Sequence, residues 1–190
     1  MPPSLVVCLR HAEKPTRQYG WGINERGRFS PTSLTVRGWQ RAGALAATDL
    51  CGCFPQGINP VAIFVPRYRL PPKRRRSYQT VHPYALRSGV SIEEACKKTA
   101  VDKLHRKVME IQDGAVVVCW EHKYLAQFAS KLVGSDFKWP GEDCFDVIWL
   151  LRLKAPSTSY EREVRNQVDG AERGNSGHNE TVADPTRPRG

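Results

Sequence analysis

The sequence predicts an α/β domain, a three-layer sandwich with a mainly parallel central sheet flanked by helices. Three observations predict it. Short apolar runs recur at residues 5–9 (LVVCL), 61–65 (VAIFV), 115–120 (AVVVCW) and 146–153 (DVIWLLRL), the pattern of strands buried on both faces. Helical stripes separate them. Gly114 and Gly134 stand where helices should close, and strands alternating with helices favour parallel pairing.

Each element follows from local chemistry. After the first strand, residues 15–33 are rich in Gly, Pro, Arg and Ser and read as a long loop of the kind that usually serves function. Residues 35–50 read as a helix, with Thr35 able to cap it and Trp39, Ala42, Leu45 and Ala46 on one face. CGCFPQGINP is turn chemistry. The second strand runs into a basic loop, PRYRLPPKRRR. A partly helical YQTVHPYALRSG follows, in which Pro83 should lie near the start or at a kink. From Ser91 to Gly114 one continuous helix is expected. Ser91 and Glu94 have capping-box spacing, and Val101, Leu104, Val108 and Ile111 form a stripe. KYLAQFASKLVG gives a last helix, with Leu125, Phe128, Ala129 and Leu132 inward.

Composition bounds the chain further. Its 190 residues suit one domain with a real core, and a mean hydropathy of -0.50 excludes a membrane-embedded class. No apolar run approaches the ~20 residues of a membrane helix. The opening MPPSLVVC has neither a basic n-region nor a small-residue cleavage site, so no secretory leader is read. The six cysteines form no regular framework, and the CGC at 51–53 lacks a second pair at zinc-ligand spacing. No metal and no cofactor are expected, and a reducing, cytoplasmic location fits best. Residues 155–190 carry five arginines against six carboxylates, so residues 1–154 carry about +11, more than the whole net charge of +10. The domain is therefore assigned to 1–154, with 155–190 expected to be a disordered tail.

In parallel α/β sheets ligands bind beyond the carboxyl ends of the strands. The first strand ends in Arg10-His11, the second in the basic loop, and the third in Glu121-His122. Two imidazoles, a carboxylate and several guanidiniums would thus converge on one edge. Arginine presents a donor fork that matches phosphoryl oxygens, and a neutral imidazole can attack phosphorus. The basic loop could also bind a polyanion, with nucleic acid as the weaker candidate partner. His82, His105 and His178 read as structural or solvent-facing.

These residues resemble the histidine phosphatase superfamily, the phosphoglycerate-mutase-like fold. LRHAEKP is similar to its arginine-histidine signature, LTVRGWQRAGALA to its LTxxGxxQA helix, and RSYQTVHPYA to its RAxQTAxPLA segment. VVVCWEHKYL takes the place of the strand bearing the second histidine. KWPGEDCFDVIWLLR resembles a WPDDRFDVVWVF segment in a little-characterised branch with CWEH before the helix. The resemblance covers roughly residues 4–153, in the family's order.

The resemblance implies His11 as nucleophile, Arg10 and Arg76 as phosphate ligands, and His122 as the second histidine. The proton donor is left open. Glu121 leads, provided a turn aims it inward beside His122, with Glu93, Glu94 and Glu13 as alternatives; Glu13 also suits a loop ion pair. The implied function is a metal-independent phosphomonoester hydrolase acting on a phosphorylated substrate through phosphohistidine. The alternatives are a catalytically weak module binding phosphorylated ligands or polyanions, and a mutase-like phosphotransferase. The segment FVPRYRLPPKRRRSYQT departs from the family by lacking its Ser-rich approach to the arginine, which bears on entrance and substrate.

Overall fold

The computed structural model describes residues 2–68 and 75–153, and 160–166 as backbone. Its elements run β1 (Leu5–Arg10), α1 (Val36–Ala47), α2 (Asp49–Gly52), β2 (Pro60–Pro66), α3 (Arg76–Ser88), β3 (Ile92–Cys96), α4 (Val101–Glu110), β4 (Ala115–Trp120), α5 (His122–Val133), β5 (Val147–Leu153) and β6 (Tyr160–Asn166). They build one six-stranded sheet in the order β3-β2-β4-β1-β5-β6. β3, β2, β4 and β1 are mutually parallel, β5 runs antiparallel to β1, and β6 antiparallel to β5. This is the mainly parallel α/β sandwich the sequence predicts.

The period of two along each strand divides the core. Val6, Cys8, Val116 and Val118 face Leu104, Val108, Leu125 and Phe128 of α4 and α5. Leu5, Val7, Leu9, Val117 and Cys119 face Leu45 of α1 and Val81 and Tyr84 of α3. Both sheet faces are therefore covered, and β1 and β4 are buried at every residue.

Three local expectations are corrected. The helix expected from Ser91 begins only at Val101; Ile92–Cys96 is instead an edge strand paired with β2. Its five residues alternate too briefly to announce a strand, and a nonlocal ladder selects it over the capping-box pattern. Pro83 lies well inside the 13-residue α3, where it removes the amide that would have donated to Gln79 O. A tail without structure from 155 does not describe Tyr160–Asn166, which pairs along the whole of β5. Thr35 caps α1 as expected, accepting from Gly38 N.

All six cysteines are free thiols, and burial pushes Cys8 and Cys119 far up from their ordinary values. Among the described residues no helix is long and apolar enough to cross a membrane.

Candidate active site

β1 and β4 pair in register to their last residues, Arg10 opposite Trp120, so their carboxyl ends deliver side chains to the same place. Arg10 has no exposed surface. Its Nη1 donates to the carbonyls of Glu142 and, at 3.3 Å, Cys144, and its guanidinium lies 4.1 Å from the centre of the Phe145 ring. Nε and Nη2 have no hydrogen-bond partner. A guanidinium keeps its proton even when burial lowers its pKa, as here, so two buried donors of a fixed cation stand ready for an anion.

His11 continues the chain, its amide on Trp120 O at 3.3 Å. Nδ1–H donates to Ala12 O at 2.8 Å, which assigns the ring proton to Nδ1 and leaves the Nε2 lone pair free. Burial pushes the imidazole down to about 3, and the positive charges of Arg10, Arg76 and Lys14 push the same way. The ring is neutral at physiological pH.

The loop after His11 is clamped from two sides. Ala12 N donates to Thr80 Oγ1 at 2.8 Å, while Thr80 Oγ1 donates to Arg76 O at 2.7 Å, tying the histidine loop to the start of α3. Glu13 is buried under Arg41, which donates from Nε and Nη2 at 3.1 and 2.7 Å, with Arg37 Nε 3.4 Å away. Glu13 is thus an ion-pair anchor, and it does not line the cavity described below. Gly38 permits this approach, because a Cβ there would come within 2.8 Å of Glu13 O. Gln79 completes the frame by accepting from Leu34 N at 3.1 Å and donating to Ser33 Oγ at 3.1 Å. Arg76, the first residue of α3, reaches Ser33 O at 3.3 Å and Pro31 O at 3.0 Å.

β4 ends at Trp120, and the chain turns at once. Glu121 is the N-cap residue of α5, and His122 its first residue rather than the end of a strand. Here is the turn that aims both side chains inward. Glu121 gives its own helix no side-chain cap, and Tyr124 N already donates to Glu121 O at 3.0 Å, so the first-turn amides left for an anion are those of His122 and Lys123, where the helix dipole favours one. His122 Nδ1 is buried without a partner. Burial lowers the pKa of His122, Arg10 and Lys14 lower it further, and Glu121 and Glu142 act against them.

Arg10, His11, Arg76, Glu121 and His122 all line one cavity of about 590 Å³ at the carboxyl edge of the sheet. Glu121 is ion-paired there with Lys98. Glu93 and Glu94 do not line it: Glu93 pairs with Lys107, and Glu94 accepts from Tyr68 N at 3.4 Å. Both lie on β3 rather than in the first turn of a helix. Sequence reasoning missed Tyr68, Ser77, Lys97, Lys98 and Thr99 in the lining, along with roles there for Lys14 and Arg67. The signal available was positional, since Arg67 and Lys97 also stand at strand ends. His82 stacks on Tyr78 at 5.1 Å, and burial lowers the pKa of His105, on α4. His178, Lys73 and Arg74 lie outside the described residues, whereas Arg75 is exposed over the Tyr78 ring. Among the described residues no cluster of His, Cys, Asp and Glu could hold a metal ion.

No family model matches the sequence, and no curated protein matches it significantly. Solved structures do. An Escherichia coli K-12 protein described as an alpha-ribazole-5'-P phosphatase superposes with a TM-score of 0.56 at 12% identity, over 85% of this chain and 96% of its own. The protein histidine phosphatase SixA, solved with tungstate, gives 0.49 at 14%, over 86% and 97%. Phosphoglycerate mutase from Plasmodium falciparum gives 0.44 at 9%, over 95% and 97%. Only the first is close enough in shape to carry an argument, and at that identity the argument concerns the fold. On the strand order and this superposition, the chain has the phosphoglycerate-mutase-like α/β fold.

Proposed function

We propose that the protein is a metal-independent phosphomonoester hydrolase that works through a phosphohistidine at His11. The observation that carries this reading is one constellation. A neutral imidazole has its proton fixed on Nδ1, and it adjoins a wholly buried arginine with two unpartnered donors.

The phosphate of the substrate is received by Arg10 Nε and Nη2, by Arg76, and by the His122 and Lys123 amides at the start of α5. His11 Nε2 attacks phosphorus; the N–P bond forms as the ester P–O bond breaks, and the leaving oxygen takes a proton from Glu121. A water then attacks phosphohistidine and gives its proton back to Glu121. The N–P bond breaks, inorganic phosphate leaves, and His11 is again neutral. Arg10, Arg76 and His122 stabilise charge on the three equatorial oxygens, where most of the rate enhancement in such transfers arises.

Hydrolysis of an aryl phosphate, with and without EDTA, tests the proposal. Turnover should survive EDTA, and an acid-labile, base-stable phosphoenzyme should be trapped. His11→Ala should lose both while its fold survives. Hydrolysis unaltered in that variant would refute the nucleophile.

A specific observation favours a second reading, a phosphate-binding module with weak turnover. Glu121 is already engaged by Lys98, and no other carboxylate lines the cavity among the described residues. An aryl phosphate leaves without much help from an acid, whereas an alkyl phosphate does not. Hydrolysis of the aryl ester alone would select this module.

A further inference from the structure

The cavity is larger and more cationic than one phosphate requires. About 590 Å³ falls within the range of pockets that enclose whole small molecules, roughly 300–1,000 Å³. Beyond Arg10 and Arg76 its wall carries Lys14, Arg67, Lys97 and Lys98, against the single carboxylate of Glu121. Some cations elsewhere are matched: Arg37 and Arg41 sit on Glu13, Lys107 on Glu93, and Lys131 on Asp102. Lys14, Arg67 and Lys97 form no ion pair among the described residues. Unmatched cations in a concave wall focus a field on whatever anion enters.

The extra cations are also built in. Trp120 Nε1 donates to Lys98 O at 2.9 Å, Ala100 N to Lys97 O at 2.9 Å, and Arg67 N to Cys96 O at 2.7 Å. The turn after β3 is therefore fastened to the ends of β2 and β4, and its lysines project from a fixed backbone. Strand order gives the separation. The reacting centre lies at the ends of β1 and β4, whereas Arg67 and Lys97 lie at the ends of β2 and β3. The midpoints of those two pairs are two strand spacings apart, about 10 Å.

We propose that Arg67, Lys97 and Lys98, with the Thr99 hydroxyl, form a second anion subsite. The substrate is then a small phosphomonoester bearing a second phosphate or carboxylate about 10 Å from the first. The assignment of which end reacts rests on the function proposed above. Because Lys98 also holds Glu121, an anion in the second subsite shares that ammonium with the carboxylate beside the reacting phosphate.

Phosphonates are not hydrolysed, so they test the subsite apart from the reaction. Calorimetric titration would compare alkane-α,ω-bisphosphonates of increasing length with alkylphosphonates and ω-carboxyalkylphosphonates of matched length. The bisphosphonate or carboxyalkyl series should bind about 10-fold or more tightly than the monophosphonate, from one further charged contact. The optimum should fall at a chain of roughly six carbons, which spans about 10 Å. The tighter series identifies the second anion. Arg67→Ala and Lys97→Ala, both at exposed positions, should bring the ratio toward one. Equal affinity of mono- and dianionic ligands at every length would overturn the inference, as would a preference that persists in the double variant. A phosphopeptide with acidic flanks outcompeting every bisphosphonate would overturn the small-molecule assignment. Aryl phosphate hydrolysis without any bisphosphonate preference sinks the second subsite and leaves the proposed reaction standing. A bisphosphonate preference without hydrolysis does the reverse.

Discussion

Acid should weaken this fold through His11, and the size of the effect follows from the site. The imidazole is held near 3 in the folded protein, against 6.5 for the free side chain, chiefly by burial. Below pH 6.5 the unfolded chain takes up a proton that the native one refuses. The stability that neutral His11 permits is thus complete above about pH 6.5. It is lost at about 1.4 kcal/mol per unit as pH falls from 6.5 toward 3. Between pH 7.5 and 4.5 the loss comes to about 2–3 kcal/mol. His11→Gln has no such proton to take up, while every carboxylate, His105 and His122 remain in both proteins and cancel in the comparison. Chemical denaturation at steps from pH 7.5 to 4.5 reads the difference directly, provided unfolding is two-state. Wild type should lose about 2–3 kcal/mol more than the variant over that range. Parallel pH profiles would show that His11 is protonated as readily in the fold as out of it. Its reading as a permanently neutral nucleophile would then fall.

Three further outcomes are expected. Arg41→Ala removes the buried partner of Glu13, leaving it only the half-exposed Arg37, and should cost about 3 kcal/mol in denaturant titrations; a loss below ~1 kcal/mol would mean the pair is solvated and worth no more than a surface one. Glu121→Gln should slow hydrolysis of an alkyl phosphate far more than that of an aryl phosphate, and equal effects on the two would remove Glu121 as proton donor. Ending the chain at residue 154 deletes β6 and bares the outer edge of β5. That shortened protein should self-associate in size-exclusion chromatography, unlike one ended at residue 166, and a monodisperse product of unchanged stability would show that β6 protects nothing.

The strands buried on both faces were legible because nearly every one of their residues is apolar, Arg10 and Arg152 apart, so burial alone names them. β3 and β6 were not. Ile-Glu-Glu-Ala-Cys has two carboxylates in five residues, and Tyr-Glu-Arg-Glu-Val-Arg-Asn has four charges in seven. Both are edge strands or close to the edge, where charge is tolerated and pairing comes from a partner remote in sequence. Local propensity cannot see that partner. Around Ser91 it pointed the wrong way, since capping-box spacing and the stripe from Val101 to Ile111 together extended a helix across a strand and a turn.

The site divides along the same physical line. Arg10, His11, Glu121 and His122 were legible because they end buried apolar runs, and the strand-end rule makes such positions informative without further contacts. Arg76 required the RSYQT pattern, and the structure supplies its physical content: Gln79 and Thr80 are the side chains that fasten α3 to the segments around Leu34 and Ala12. Glu13 was ambiguous in sequence because a carboxylate two residues from a nucleophile suits both an acid and an anchor. Only the fold brings Arg41 and Arg37 from α1 onto it, and Gly38 alone makes the room. Lys97 and Lys98 were silent for a different reason. A lysine on a loop is most often a lone solvated charge, and nothing local distinguishes one that lines a cavity. What separates these two is the backbone beneath them, fixed by Trp120 and Ala100 at the mouth of a cavity otherwise short of carboxylates. Charge becomes a binding feature when its position is held and its counter-charges are outnumbered, and both conditions are properties of the folded chain.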